Sequence, residues 1–225
     1  MKYPNIQQGN FLLRPNRFIA HVTLNGQEEI CHVKNTGRCK ELLVPGSTVW
    51  VTKSDNPLRK TKYDLIAVQK GKRLINMDSQ APNKITEEWL RAGGLKGLTL
   101  LRPETKFENS RFDFYFEQGT VKGFLEVKGV TLENNGIVRF PDAPTERGVK
   151  HLQELVDCRQ KGFNSYVLFV IQMEGVKRFE PNWDTHPAFG DALIKAQKAG
   201  VHILAYDCKV TPDTLTINNK VKITL

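Results

Sequence analysis

The sequence is poor in the features that mark membrane, secreted and zinc-stapled proteins. Among 225 residues no apolar run approaches the roughly 18 positions that a membrane helix requires. The first ten residues, MKYPNIQQGN, lack the apolar segment of a secretory leader. Only four cysteines occur, Cys31, Cys39, Cys158 and Cys208, with no CxxC pair and no zinc-like spacing to histidine. Internal repeats and low-complexity tracts are also missing. These absences predict a cytoplasmic protein with no membrane partner and with buried free thiols rather than disulfides.

What is present in excess is positive charge, and it is unevenly placed. Residues 1–86 carry 14 Lys and Arg against 6 Asp and Glu, a net +8, whereas residues 87–225 carry 19 against 18, a net +1. A basic region beside a near-neutral one suits a polyanion-binding module joined to a second module, although a basic face also serves solubility. Alternating segments at 16–24, 27–34, 47–53, 63–70 and 72–77, broken by Asn25-Gly26, Pro45-Gly46 and Gly71, predict five short strands in a small OB-like barrel. The stretch 53–62, KSDNPLRKTK, offers Arg59 and Lys60 as contacts to nucleic acid, while the alternation around Trp50 places that ring in the core.

The boundary is expected near Ala81–Thr86, dividing the chain into domains 1–83 and 84–225, with Thr86 capping a short helix. Beyond it the pattern is helix, strand hairpin, then helix, strand, helix, strand. This predicts an α+β protein overall, whose second domain is a mixed sheet flanked by helices. SYVLFVI, at 165–171, is apolar throughout and reads as a central strand. A helix over 145–160 places Val149, Leu152 and Val156 on the packing stripe and Arg147, Lys150, His151 and Glu154 on the other side.

The chemistry concentrates in RFDFYFEQGTVKGFLEVKGVT, residues 111–131. Two-residue alternation sets Asp113 apart from Phe112, Phe114 and Phe116, and sets Glu126 and Lys128 on one face with Leu125 and Val127 on the other. The intervening Glu117–Gly123, with two glycines, is short enough for a hairpin, so Asp113 approaches Glu126. Two carboxylates with a lysine suit Mg²⁺ or Mn²⁺ and hydrolysis of a phosphodiester. The same three residues also make an ordinary ion-paired sheet face. Glu104 is either a further metal ligand or the partner of Lys106. Arg147 is a candidate phosphate contact, because its fork matches phosphate oxygens. His151, one turn on, either faces phosphate and water or is a structural hydrogen-bonder.

SRFDF (110–114), LEVKGVTL (125–132) and FPDAPTERGVKHLQEL (140–155), with NTGR (35–38), PG (45–46) and SDN (54–56), resemble the sugar fermentation stimulation protein family over nearly the whole chain. That resemblance implies DNA binding without strong sequence specificity, an association with regulation of sugar metabolism, and a second domain similar to the PD-(D/E)xK nucleases. Asp113 then corresponds to the motif aspartate, and Glu126 with Lys128 to the (D/E)xK pair. The chain departs from the motif at Phe112, where proline is expected; the literal Pro141-Asp142 follows ExK, and Asp142 reads as a turn or capping residue. The resemblance also raises Asn35, Thr36 and Gly37 as a polar turn at the barrel mouth. Arg38 beside that turn, with Lys150 on the helix, joins the candidate nucleic-acid contacts. Two functions compete: a Mg²⁺-dependent DNA phosphodiesterase, and a DNA-binding regulator that uses a nuclease-like scaffold.

Overall fold

The computed structural model describes residues 1–35, 37–108 and 110–225. The first domain contains β1 (Ile6–Asn16), β2 (Ile19–Leu24), β3 (Gln27–Val33), β4 (Thr48–Lys53), β5 (Tyr63–Lys70) and β6 (Arg73–Asn76). Its order is β3-β2-β1-β4-β5-β6, and a parallel pairing of Cys31–Val33 with Tyr63–Leu65 joins β3 to β5. The five-stranded barrel expected from the sequence is therefore closed, but its membership differs. β1 is in the ring, and the strand expected over 72–77 hangs outside it on β5.

β1 escaped the pattern for a physical reason. Its pairing with β2 shifts register twice, between Phe11 and Leu13 and again before Asn16, so its residues keep no two-residue period. Gly9 also lies so close to the backbone of Thr23 that a β-carbon has no room. Inside the ring Val22, Val33, Val49, Val51, Leu65 and Val68 are fully buried. Trp50 is half-buried and packs outside it with Tyr3, Ile66 and Ala67.

The chain continues through α1 (Ala81–Arg91), β7 (Leu100–Phe107), β8 (Ser110–Gln118), β9 (Val121–Val130), β10 (Leu132–Asn134), β11 (Ile137–Phe140), α2 (Glu146–Gln160), β12 (Asn164–Ile171), β13 (Arg178–Pro181), α3 (Pro187–Lys198), β14 (His202–Val210) and β15 (Leu215–Lys220). A mixed sheet runs β15-β14-β12-β9-β8-β7, with β12 parallel to both β9 and β14. The apolar run of β12 lies in its middle. Leu152 and Leu155 of α2 and Phe189 and Leu193 of α3 pack on one face, and Ile85 and Leu90 of α1 pack on the other against Phe114, Phe116, Leu125 and Leu168. A small sheet, β10-β11-β13, lies beside them.

Two local expectations need correction. α1 starts at Ala81 after Gln80, with Pro82 in its first turn, so Thr86 is buried within the helix and caps nothing. In α2 the buried positions are Gly148, His151, Leu152, Leu155 and Cys158, while Val149 and Val156 are half-buried. The face of α2 turned to the sheet therefore includes His151, which meets Glu126 and Lys128 of β9 rather than lying on the polar face that the spacing predicts, while Val149 and Val156 lie toward α3.

The domains are joined by polar contacts. Gln172 Nε2 donates to Asn76 Oδ1 at 2.9 Å and to the Asp78 carbonyl at 3.0 Å; Glu133 accepts from Lys70 at 2.9 Å and from Arg73 at 3.1 Å. Asp142 accepts from the Cys39 amide at 3.3 Å, while the cap of α2 is Thr145, whose Oγ1 accepts from the Gly148 amide at 3.0 Å. All four cysteines are buried free thiols, and burial pushes Cys31, Cys39 and Cys158 up to about 12. No helix among the described residues is long and apolar enough to cross a membrane.

Candidate active site

The β8–β9 hairpin turns through Gly119 and Thr120, as the two glycines and short linker predict, with Gln118 opposite Val121. The ladder runs from there to Phe114 opposite Leu125 and stops. At the next position Asp113 takes over the pairing with its side chain. Its Oδ2 accepts from the Val127 amide at 2.7 Å, and its Oδ1 accepts from Asn83 Nδ2, on the first turn of α1, also at 2.7 Å. The splay breaks the alternation expected of the phenylalanines: Phe112 packs with Phe124 on the α2 side, while Phe114 and Phe116 stay with α1.

Leu125 and Val127 point to α1, so Glu126 and Lys128 point to α2, as their spacing predicts. This face is not exposed. Glu126 is 3% exposed. Its Oε1 accepts from Lys128 Nζ at 2.6 Å and also from His151 Nδ1. Arg147 Nε donates to His151 Nε2 at 3.2 Å, and a guanidinium can only donate. Nε2 is therefore the acceptor and Nδ1 carries the proton given to Glu126. Glu126 Oε2, by contrast, is buried and accepts no hydrogen bond from the described residues. A carboxylate oxygen taken out of water without a partner is costly, and such an oxygen asks for a donor or a cation.

The electrostatics separate the two acids. Burial, and next the charge of Glu126, push the Asp113 carboxyl up to about 6 despite its two hydrogen bonds. Burial also acts to raise Glu126, but the His151 hydrogen bond and the Lys128 charge outweigh it and hold that carboxyl below its ordinary range. The site is thus one ionised acid with a free oxygen, one acid poised near neutrality, and one ammonium. Among the described residues no three His, Cys, Asp or Glu gather tightly enough to hold a metal by protein ligands alone. The pair Asp113 and Glu126 fits an ion that takes one or two carboxylates and keeps waters, as Mg²⁺ does.

The remaining sequence candidates divide. Arg147 and His151 are brought to the site; Asn83, expected in a linker, is there too and carries no local signal that would mark it. Glu104 is not: its exposed carboxylate pairs with Arg111 at 2.9 Å, and not with Lys106. Lys150 pairs with Glu154 at 3.5 Å on the outer face of α2. Arg59 is committed within the barrel, both arms of its fork reaching Asp64 at 2.5 and 3.0 Å, while Lys60 beside it is exposed. Arg38 is exposed, and the turn before it contributes Asn35 and Gly37 to a cleft of about 330 Å³ between the domains, also lined by Gly129, Asp142 and Thr145. Thr36 lies outside the described residues.

An OB barrel fused to a helix-flanked mixed sheet, with a buried acid pair and lysine on that sheet, defines a two-domain class that the comparisons identify. Residues 12–77 match the model of the SfsA N-terminal OB domain, and residues 80–214 match that of the sugar fermentation stimulation protein RE domain. The chain belongs to the sugar fermentation stimulation protein family. A sugar fermentation stimulation protein homolog from Clostridium beijerinckii is 61% identical over 226 residues, covering 100% of both chains, and one from Desulfitobacterium hafniense is 59% identical over 225 residues, covering 100% of this chain and 99% of its own. The structure of Pyrococcus furiosus SfsA in complex with Ca²⁺ superposes with a TM-score of 0.90 at 24% identity, over 100% of this chain and 98% of that one, which shows a common fold.

Proposed function

We propose that this protein binds DNA and hydrolyses its phosphodiester bonds with the help of Mg²⁺ or Mn²⁺. The observation that carries the reading is Glu126 Oε2, a buried carboxylate oxygen with no hydrogen-bond partner among the described residues, beside Asp113 and Lys128. Asp113 and Glu126 would hold the ion, which when bound would neutralise phosphate charge and acidify water. Lys128 lies where its ammonium can stabilise charge developing on the phosphate. His151 keeps Glu126 in place through its Nδ1 proton, and Arg147 fixes the tautomer from the outside while its exposed fork faces incoming phosphate. The net +8 of residues 1–86 supplies the general attraction to a polyanion.

The test is cleavage of single- and double-stranded DNA by purified protein with Mn²⁺ or Mg²⁺, with EDTA as the stop. Lys128→Ala should lower the rate by roughly 10²-fold or more. Equal trace activity in wild type and variant across metals and substrates would remove the hydrolytic reading and leave a DNA-binding scaffold.

A further inference from the structure

With the Arg59 fork engaged by Asp64, a second group of cations on the barrel bears on polyanion binding. One place is built for it. Arg14 donates from both ends of its fork, to the carbonyls of Gly37 (3.0 Å) and Arg38 (3.1 Å) through Nη1 and to those of Arg17 and Asn35 (2.7 Å each) through Nη2. This staple holds the β1–β2 turn against Asn35, Gly37 and Arg38 and sets the exposed side chains of Arg17, Arg38 and Lys40 around a cleft of about 500 Å³. The cleft also bears exposed apolar surface in Leu13, which is 49% exposed, and its lining residue Arg17 sets its guanidinium over the ring of Phe18, itself 44% exposed, at 4.7 Å from the ring centre. Leaving an aromatic ring and a leucine in water among three cations makes sense for a ligand that has both charge and flat apolar faces.

We propose that this cleft binds single-stranded nucleic acid, with Phe18 and Leu13 receiving base faces and Arg17, Arg38 and Lys40 receiving phosphates. A duplex keeps its bases stacked inside and would use only the cations. Gly37 lines both this cleft and the one between the domains, which reaches Gly129, next to Lys128, and Thr145, at the start of the helix that carries Arg147. The two clefts thus meet at Gly37, and a strand bound on the barrel lies beside the groove between the domains; any continuation from there to Asp113 and Glu126 rests on the hydrolytic reading above, whereas the binding surface does not.

The experiment measures binding of the full chain to fluorescein-labelled oligothymidylate of about 15 nucleotides, in EDTA, by anisotropy over a range of salt. The absence of metal separates the result from cleavage, so either reading can fail alone. Phe18→Ala should weaken binding on the order of tenfold. Arg17→Ala and Lys40→Ala should each lower the log-log salt slope by about 0.7, and thermal melting should show all three variants folded. Wild-type affinity and slope in the three folded variants would overturn the proposal. So would a duplex of equal length bound as tightly and weakened as much by Phe18→Ala.

Discussion

Asp64 in the barrel and Glu126 in the sheet domain are both buried carboxylates set among cations, and they differ in what their second oxygen does. Asp64 takes both arms of Arg59, with Lys34 at 3.4 Å and His32 at 3.3 Å completing its surroundings. Burial would raise its carboxyl, but the Arg59 hydrogen bonds and the Lys34 charge win and hold it low. Glu126 receives Lys128 and His151 on one oxygen and, among the described residues, nothing on the other. Its neighbour Asp113 carries the electrostatic cost, raised rather than lowered. Asp64 is saturated by protein donors, whereas Glu126 keeps one buried oxygen without a donor among the described residues.

The largest effect expected from this contrast is on stability. Asp64→Ala strands the Arg59 fork and Lys34 in a half-buried setting, and urea unfolding should show a loss of about 3 kcal/mol. Asp113→Asn should move the other way. Because the folded state raises the Asp113 carboxyl from 3.8 to about 6, it holds that proton more tightly than the unfolded chain. The contribution to stability is therefore full below pH 4 and is lost as pH rises through 6. At pH 8 without metal, Asp113→Asn should be more stable than wild type by up to about 3 kcal/mol, the Asn83 amide turning to suit its new partner. At pH 3.5 the gain should vanish. A neutral-pH loss instead would place Asp113 in the same class as Asp64.

The comparison also shows what was legible beforehand. The Asp113, Glu126 and Lys128 set was readable because it is local: one hairpin and a two-residue period bring the three together. The closed barrel was readable in strand number but not in membership, since the register shifts in β1 erase the alternation that marks a strand. The pairing of Arg59 is not legible from a charge count, because Asp64, five residues on in β5, returns to take both arms of its fork. A stripe drawn from apolar residues alone puts His151 on the outer face of α2, because it cannot show that the sheet-facing stripe includes a histidine whose partners, Glu126 and Lys128, are on β9. Asn83 needed the tertiary structure outright, its partner being 30 residues away.

Two smaller effects sharpen the contrast. His151→Ala removes the group that orients Glu126 without removing a ligand, and should weaken Mn²⁺ binding by roughly 10- to 100-fold, read by titration calorimetry. Lys150→Ala breaks only the exposed pair with Glu154, and its melt should show a change of about 0.3–0.5 kcal/mol. A loss of several kcal/mol there would mean that the outer face of α2 is doing more than solvating the helix.

The central claim is that the free oxygen of Glu126, with Asp113, is a cation site. Calorimetric titration of Mn²⁺ into the folded protein tests it most directly, comparing wild type with Glu126→Gln and with the combined Asp113→Asn and Glu126→Gln variant. Saturable binding by wild type, weakened in the first variant and lost in the second, is the predicted result. Equal binding by all three folded proteins would contradict it.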